Sequence, residues 1–367
     1  MQWKEQLLTL APYQPGRPIE SVKREYGLEH IVKLASNENP FGASPKAVSA
    51  LKEAVTNFAI YPDGYATRLR EAMTSFLNVD QNQLIFGNGA DNLIQIVSRA
   101  FLHPGKNTVM AAPSFSQYKH NAIIEGSEIR EIPLINGEHD LDSMIAAIDE
   151  NTAVVWVCSP NNPTGVHITK DKMISFLTKV PNETLVVIDD AYHDYVVADD
   201  YYDALEFAKT YPNVIVLRTF SKIYGLAALR IGYGIAHQDI IRALEPVREP
   251  FNVNTLGQIA AIAAIEDQDY VEECRQRNRE GMAQFEKFCN EKQLKYYSSQ
   301  ANFILIDFGT SGNEVFQYLL QRGYIVRSGN ALGFPTSVRV TVGSTEENNG
   351  VMGVMNQYLK EKASISR

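Results

Sequence analysis

Short apolar runs alternate with amphipathic stretches along the first two thirds of the chain. Seven of these runs predict strands: "QLIFG" near 85, "NTVMAAP" near 110, "EIREIPL" near 130, "TAVVWVCSP" near 155, "LVVIDDAY" near 187, "NVIVLRTF" near 216 and "IGYGIA" near 233. Several are apolar on both faces, as strands of a parallel sheet covered by helices must be. Before the first run, "SPKAVSALKEAVTNF" predicts a helix with Ser44 as N-cap and Pro45 in its first turn. The pattern predicts an α/β fold with a mostly parallel seven-stranded sheet.

The pattern changes near residue 270. A long charged helix, "YVEECRQRNREGMAQFEKFCNEK", precedes "ANFILIDF", a helix near 315, "GYIVRSG", "SVRVTVG" and a last helix. This succession predicts a smaller α+β domain. We therefore expect an N-terminal arm over residues 1–30, a large domain over 31–247 and a small domain over 248–367.

Composition narrows the class of protein. The 367 residues carry 34 basic and 43 acidic side chains, a net charge of −9, without a long basic run. This balance argues against nucleic acid or an anionic membrane as partner. The three cysteines are widely spaced and odd in number, and the seven histidines show no metal-ligand spacing, so neither a disulfide framework nor a metal is expected. A polar N-terminus and the lack of a long apolar run favour the cytoplasm.

Polar side chains follow three of the predicted strands. "SPNNPTG" holds Asn162 in a turn made rigid by prolines, "DDAY" contains Asp189 and Tyr192, and "RTFSKIYGLAALR" contains Lys222 and Arg230. Taken singly, these residues also fit an ordinary turn, a helix cap and a surface strand end. Ligands of open α/β sheets bind at the carboxyl ends of the strands. The sequence therefore predicts that these side chains share one ligand.

Pyridoxal 5'-phosphate fits this set. Its aldehyde needs an amine, which Lys222 supplies, and its pyridine nitrogen needs a carboxylate such as Asp189. Its phosphate needs an arginine such as Arg230 and the N-terminus of a helix. The glycine turn "GNGADN" at 87–92 can begin such a helix. Alone, the motif is equally compatible with a simple tight turn. Its ring face needs a flat side chain, and Phe115 in "PSFSQY" qualifies.

Three motifs, "SPNNPTG", "VVIDDAY" and "RTFSKIYGLAALRIGYG", resemble the signature of fold-type I pyridoxal-phosphate aminotransferases. The resemblance is closer to histidinol-phosphate aminotransferases and extends over nearly the whole chain. It includes "LAPYQPGRPIE", "KLASNENPFG", "YPDGY" and "IVRSGNALGFPTSVRVTVG". The chain departs from the usual family pattern in "DDAY", where a glutamate is common in second place, and at Asn92. Neither departure falls on a residue that carries the chemistry.

The resemblance implies a role for each matched residue. Lys222 is the Schiff-base lysine and moves the proton between the substrate Cα and the cofactor, Asp189 pairs with the pyridine nitrogen, and Tyr192 bonds the ring oxygen. The other implied cofactor contacts are Asn162 at the ring oxygen, Phe115 on the ring face, and Thr219, Ser221, Arg230 and the backbone of Ala90 and Asp91 at the phosphate.

The resemblance also implies contacts to substrate and to a second subunit. Arg339 grips the substrate carboxylate, and Arg327 with Tyr13 receives the phosphate of histidinol phosphate. Tyr61 reaches the cofactor phosphate of the partner subunit, which implies a homodimer. Alternatives remain open, since the two arginines also fit ion pairs at a domain boundary and Tyr13 also fits simple packing of the arm.

The implied activity is reversible amino transfer between histidinol phosphate and 2-oxoglutarate. Aromatic amino acids are an alternative substrate class, because their flat side chains mimic imidazole. A decarboxylase of a phosphorylated amino acid such as threonine phosphate is an alternative reaction on the same scaffold. These reactions differ in which bond at Cα lies perpendicular to the cofactor ring, and the sequence does not fix that. The complete lysine, aspartate and arginine set argues against a non-catalytic binding module.

Overall fold

A computed structural model of the protein describes residues 2–8, 10–12, 16–54 and 59–365. The helices in this part of the chain are α1 Ile19–Tyr26, α2 Pro45–Glu53, α3 Thr67–Leu77, α4 Ala90–Phe101, α5 Gln117–Glu125, α6 Leu141–Ala146, α7 Lys170–Leu177, α8 Ala204–Thr210, α9 Gln238–Leu244, α10 Thr255–Ile265, α11 Gln268–Lys292, α12 Gly312–Leu320 and α13 Thr345–Ile365. The strands are β1 Val32–Lys33, β2 Leu84–Gly87, β3 Asn107–Ala112, β4 Glu128–Pro133, β5 Thr152–Cys158, β6 Leu185–Asp189, β7 Val214–Thr219, β8 Gly232–Ala236, β9 Lys295–Tyr296, β10 Phe303–Asp307, β11 Tyr324–Ile325, β12 Arg327–Ser328 and β13 Ser337–Thr341. Short 3₁₀ turns lie at Glu5–Leu8, Gln81–Gln83, His193–Tyr195, Ala227–Leu229, Glu245–Val247 and Gly329–Leu332. None of the described helices has the length and apolar character that crossing a bilayer requires.

The seven predicted strands form one sheet in the order β2-β8-β7-β6-β5-β3-β4. The pairs from β7 to β4 are parallel, and β8 runs antiparallel to both of its neighbours. The predicted mostly parallel, seven-stranded α/β sheet is thus confirmed. The helix predicted from Ser44 also begins as expected, because the Ser44 hydroxyl accepts a hydrogen bond from the backbone N–H of Ala47.

Alternation along the central strands divides their side chains between two helix-covered layers. In β6, Val186 and Ile188 pack into one core cluster, whereas Leu185 and Val187 pack into the other. Each such buried side chain stabilises the fold by roughly 1.5–3 kcal/mol relative to an exposed one. Because side chains alternate along a strand, Asp189 points to the same face of the sheet as Leu185 and Val187.

Adjacent polar residues therefore face opposite sides of the sheet. Asp189 lies on the side of Tyr118, which donates a hydrogen bond to it. Asp190 lies on the other side and accepts one from the buried guanidinium of Arg218. Arg218 also pairs with Asp203 at 2.8 Å, so this second carboxylate belongs to a structural ion-pair cluster. Strand alternation thus leaves Asp189 available to a ligand and commits Asp190 to the core.

The C-terminal part forms a second core around a four-stranded antiparallel sheet of order β12-β13-β10-β9. Helices α11, α12 and α13 cover it. Two segments pack across the predicted domain boundaries: β1 pairs in parallel with β11, and α10 packs against α2 and α3 in the large core. The boundaries at 30/31 and 247/248 remain predictions.

Candidate active site

A cavity of about 750 Å³ opens at the carboxyl ends of the parallel strands. It is lined by every predicted site residue except Tyr13 and Tyr61: Ala90, Asp91, Phe115, Asn162, Asp189, Tyr192, Thr219, Ser221, Lys222, Arg230, Arg327 and Arg339. Tyr13 lies outside the described residues. Sequence reasoning therefore identified a set of side chains that the fold brings into one space.

Lys222 follows the carboxyl end of β7 and projects into this cavity. Its Nζ donates to the carbonyl oxygen of Ser36 at 3.4 Å and lies 5.6 Å from the centre of the Tyr192 ring. Burial, together with the positive charge of Arg339, lowers the Lys222 pKa from 10.5 to about 8. A substantial fraction of the amine is therefore neutral, and hence nucleophilic, near physiological pH.

Asp189 ends β6 and is almost fully buried. Its Oδ2 accepts a 2.5 Å hydrogen bond from the hydroxyl of Tyr118, and its Oδ1 accepts one from the backbone N–H of Ala191 at 3.2 Å. Burial raises the Asp189 pKa from 3.8 to about 6, although the Tyr118 hydrogen bond opposes this shift. A buried carboxylate of this kind suits a cationic N–H partner.

Tyr192 and Arg339 are connected through the Asn162 amide. The amide nitrogen donates to the Tyr192 hydroxyl at 3.4 Å, and the amide oxygen accepts from Arg339 Nη1 at 2.5 Å. Asn37 donates a second hydrogen bond to the Tyr192 hydroxyl at 3.0 Å, and Arg339 Nη2 donates to the carbonyl of Ala35 at 2.8 Å. Burial raises the Tyr192 pKa, so the phenol stays protonated and can donate to a ligand oxygen.

The side chain of Arg230, which precedes β8, lies beside the N-terminus of α4 and helps to form an anion-binding cradle. Its guanidinium donates to Ser221 Oγ at 3.2 Å and to Asp91 Oδ2 at 3.3 Å. The backbone of Arg230 is in the left-handed region, with φ of 53°, which is strained for a non-glycine residue. The first N–H groups of α4 and the cationic side chain together suit a phosphate.

Two glycines allow this cradle to close. A Cβ on Gly89, whose φ is 81°, would lie 2.5 Å from Arg230 Nη2. A Cβ on Gly232 would lie 2.6 Å from the backbone nitrogen of Ala90. Larger side chains at either position would therefore displace the guanidinium or the helix start. This cradle is a structural feature, independent of sequence resemblance, that fits the phosphate of pyridoxal phosphate.

Arg327 and Arg339 are direct cross-strand partners in the antiparallel pair β12–β13. Directly opposed residues project to the same face of a sheet, and both of these line the cavity. Arg339 is buried and lies 5.2 Å from the centre of the Phe303 ring, while Arg327 is half-buried. The four-stranded sheet thus contributes two positive charges to a cavity whose other groups lie largely at the edge of the seven-stranded sheet.

Tyr61 does not line the cavity. Its side chain is 76% exposed and stacks on Phe251 at a ring distance of 4.6 Å. Ile60 and Tyr65 are exposed beside it in sequence. Its predicted contact with a partner subunit remains a prediction.

Comparison with known proteins agrees with this geometry. The family model for aminotransferase class I and II matches residues 29–352. The chain belongs to this family. It is 59% identical over 365 residues to the histidinol-phosphate aminotransferase of Geobacillus sp. strain WCH70, with the whole of both chains covered. It is 55% identical over 360 residues to that of Bacillus subtilis strain 168, covering 98% of this chain and all of the relative. The resemblance inferred from the motifs is confirmed.

Solved structures of the class I and II aminotransferase fold superpose closely on the protein. Histidinol-phosphate aminotransferase from Sinorhizobium meliloti, in complex with pyridoxal-5'-phosphate, has a TM-score of 0.89 at 24% identity and covers 98% of each chain. L-threonine-O-3-phosphate decarboxylase from Porphyromonas gingivalis has a TM-score of 0.79 at 22% identity, covering 90% of this chain and all of its own. At such identities the likeness establishes the shared fold.

Sequence reasoning missed Tyr118 and Asn37 as members of the site. Tyr118 lies in "PSFSQY", a motif chosen for Phe115, and Asn37 lies in "KLASNENPFG", a motif quoted only for the family resemblance. Their roles depend on contacts with Asp189 and Tyr192, which are distant in sequence. Asn37 adopts a left-handed φ of 55°, which asparagine tolerates better than most residues, but this angle is seen only in the structure and is no sequence signal.

Proposed function

We propose that this protein is a pyridoxal-phosphate-dependent aminotransferase that exchanges an amino group between histidinol phosphate and 2-oxoglutarate. The observation that carries the proposal is the convergence in one cavity of Lys222, the buried carboxylate of Asp189 and the anion cradle at Arg230. Relatives named histidinol-phosphate aminotransferase, at 53–59% identity over nearly the whole chain, support it.

The described residues provide a complementary group for each part of the cofactor. When bound, pyridoxal phosphate supplies an aldehyde for an amine and a ring that withdraws electrons from the substrate Cα. Asp189 would hold the pyridine N–H, and Phe115 would cover the ring face. The phosphate would be held by Arg230, Ser221, Thr219 and the α4 backbone at Ala90 and Asp91. Asn162 and Tyr192 would bond the ring oxygen.

Lys222 has two tasks in this reaction. Its amine, whose pKa is lowered to about 8 so that a substantial fraction is neutral, would hold the cofactor aldehyde. With substrate in the cavity, the Lys222 Nζ would act as the base that accepts the proton from the substrate Cα and later returns it. The neighbouring positive charge of Arg339 keeps the amine from holding that proton too tightly.

Arg327 and Arg339 would bind the anionic ends of the two substrates in turn. Histidinol phosphate has a phosphate ester and no α-carboxylate, whereas glutamate has two carboxylates. Arginine suits both, since its planar fork bonds either anion and its charge does not titrate away. Each such charge-assisted hydrogen bond contributes roughly 1.5–3 kcal/mol. The cross-strand pairing of the two residues places both charges at one end of the cavity.

The proposal includes a cytoplasmic homodimer in which Tyr61 serves the partner's cofactor. The exposed stack of Tyr61 on Phe251 supports a subunit contact, because aromatic side chains of this kind are enriched at interfaces. Mixing Lys222→Ala with Tyr61→Ala, each of which should be inactive alone, tests the arrangement. A hybrid dimer has one site with Lys222 from one subunit and Tyr61 from the other, so activity should return after subunit exchange. No recovery in verified hybrids would rule out the shared site.

The substrate is tested by comparing kcat/KM for histidinol phosphate, histidinol, phenylalanine and threonine phosphate. Loss of the phosphate should lower kcat/KM on the order of 10²-fold. Arg327→Ala should reduce this preference without affecting cofactor binding, whereas Arg322→Ala, which removes an exposed arginine of the same domain, should not. Equal rates for histidinol phosphate and histidinol would exclude the substrate. Phenylalanine as the best substrate, or carbon dioxide release from threonine phosphate, would favour the alternatives.

A further inference from the structure

Tyr118 lies beneath the proposed cofactor site and contacts two of its predicted residues. Its hydroxyl donates to Asp189 Oδ2 at 2.5 Å. Its ring meets the ring of Phe115 edge-on, with 5.7 Å between centroids and 80° between planes. Tyr118 therefore contacts both the carboxylate expected at the pyridine nitrogen and the aromatic ring expected on the cofactor face.

The surroundings hold Tyr118 in one orientation. It is 1% exposed, and its ring stacks on Trp156 with 4.9 Å between centroids and 12° between planes. Trp156 is itself anchored, because its indole N–H donates to the Thr108 hydroxyl at 2.9 Å. The Thr108 hydroxyl donates in turn to the carbonyl of Val154 at 2.8 Å. The stack on Trp156 in β5, together with the hydrogen bonds of Thr108 in β3, thus holds the Tyr118 hydroxyl in its orientation toward Asp189.

We propose that Tyr118 is a positioning residue that keeps Asp189 ionised and oriented toward the cofactor nitrogen. This inference rests on the proposed function, since it concerns how the chain holds pyridoxal phosphate. A phenol can donate only one hydrogen bond, and here it donates to the oxygen that does not face Ala191. A carboxylate fixed at both oxygens cannot rotate away from a ring N–H without losing a buried bond.

The hydroxyl acts on Asp189 by stabilising its charged form. Without that donor, burial would hold the proton on the carboxyl up to a higher pH. A protonated carboxyl cannot accept the pyridine N–H in the same way, so the cofactor would bind less well in acid. The other charged and titratable groups that act on Asp189 are Asp91 from α4, Lys222 from the loop after β7, Cys158 from β5 and Tyr192 after β6.

Tyr118→Phe isolates this role, since it removes the hydroxyl and keeps the ring that packs on Trp156 and Phe115. The apparent Kd for pyridoxal phosphate is measured from absorbance on the cofactor-free full chain across pH. Loss of a hydrogen bond that is donated to a carboxylate raises the carboxyl pKa by about one unit or more. The Kd of Tyr118→Phe should therefore be about tenfold higher than that of wild type at about pH 5.5 and equal to it at about pH 8.5. Tyr202→Phe is the matched control, because it removes the hydroxyl of another buried tyrosine, whose ring packs on Tyr201 and Phe207 in the other core cluster.

The outcomes separate the inference from the proposed function. A Kd increase confined to acidic pH supports the positioning role, and circular dichroism at both pH values checks that the variant is folded. An increase that is equal at all pH values would make Tyr118 a packing residue and overturn the inference. So would an unchanged Kd. A wild-type protein that binds no pyridoxal phosphate at any pH would overturn the proposed function itself.

Discussion

Replacing Asp189 with asparagine should make the cofactor-free protein relatively more stable as the pH rises. The carboxyl is buried, and its pKa is raised from 3.8 to about 6 in the folded chain. The unfolded chain therefore releases this proton more readily than the folded one. A group with a raised folded pKa contributes its full stability below its unfolded pKa, and that contribution is lost as the pH rises through the folded pKa.

The magnitude follows from the size of the shift. About two pKa units at 1.36 kcal/mol each give roughly 3 kcal/mol, lost between about pH 4 and about pH 7. Asparagine has nearly the same shape, and its amide oxygen can still accept the Tyr118 hydroxyl, but it does not titrate. The free energy of unfolding of Asp189→Asn minus that of wild type should therefore increase by about 2 kcal/mol between about pH 4.5 and about pH 8, since the rest of the change lies at lower pH.

The assay is urea unfolding of both cofactor-free proteins at intervals from about pH 4.5 to about pH 8, with the difference taken at each pH. Taking the difference cancels the other buried carboxyls with raised pKa values, Asp190 and Asp194. The same substitution should lower catalytic activity, because an amide cannot hold the pyridine proton. A stability difference that stays flat with pH would refute the reasoning and show that Asp189 ionises in the core without cost.

Three further predictions follow from the site. Lys222→Ala should leave a folded protein that turns over at a small fraction of the wild-type rate in a steady-state assay. Lys119→Ala, which removes another cavity lysine, should keep the wild-type rate. Turnover of Lys222→Ala within tenfold of wild type would contradict the role of Lys222. Since the Lys222 pKa is lowered to about 8, the rate at which cofactor-free enzyme captures pyridoxal phosphate should rise with pH around that value, as stopped-flow absorbance would show; a pH-independent rate would argue against it. Gly89→Ala should weaken inorganic phosphate and cofactor binding together in calorimetry, because its Cβ would meet the Arg230 guanidinium; unchanged affinities would mean that the cradle adapts.

The sequence was sufficient to predict the large sheet, because burial of both strand faces leaves a clear pattern of continuous apolar runs. It was also sufficient to predict that residues such as Lys222 and Asp189 line one cavity, since strand ends in an open α/β fold converge by topology. The small domain was harder to delimit. The two residues of β1 are too few to show a period, and their partner β11 lies almost three hundred residues later in the chain.

The α10 helix illustrates a different difficulty. Its run "TLGQIAAIAAI" is apolar nearly all round, so it shows no face to assign to one core or the other. Only the packing against α2 and α3 shows that it joins the large core. Hydrogen bonds such as Tyr118 to Asp189 are unpredictable for a related reason, since they depend on side-chain directions set by several elements at once.

Because Asp189 and Asp190 point to opposite faces of the sheet, β6 should not tolerate the insertion or deletion of a single residue. One inserted or deleted codon within β6 would move every following side chain to the other face of the sheet. The ligand-facing carboxylate would then exchange places with the one bound to Arg218, leaving a buried guanidinium unpaired and the cavity without its acid. Connections away from the strand ends are under no such restriction, because doubling a surface loop costs only about 0.6 kcal/mol. Natural insertions and deletions should therefore occur in those connections and not in β6.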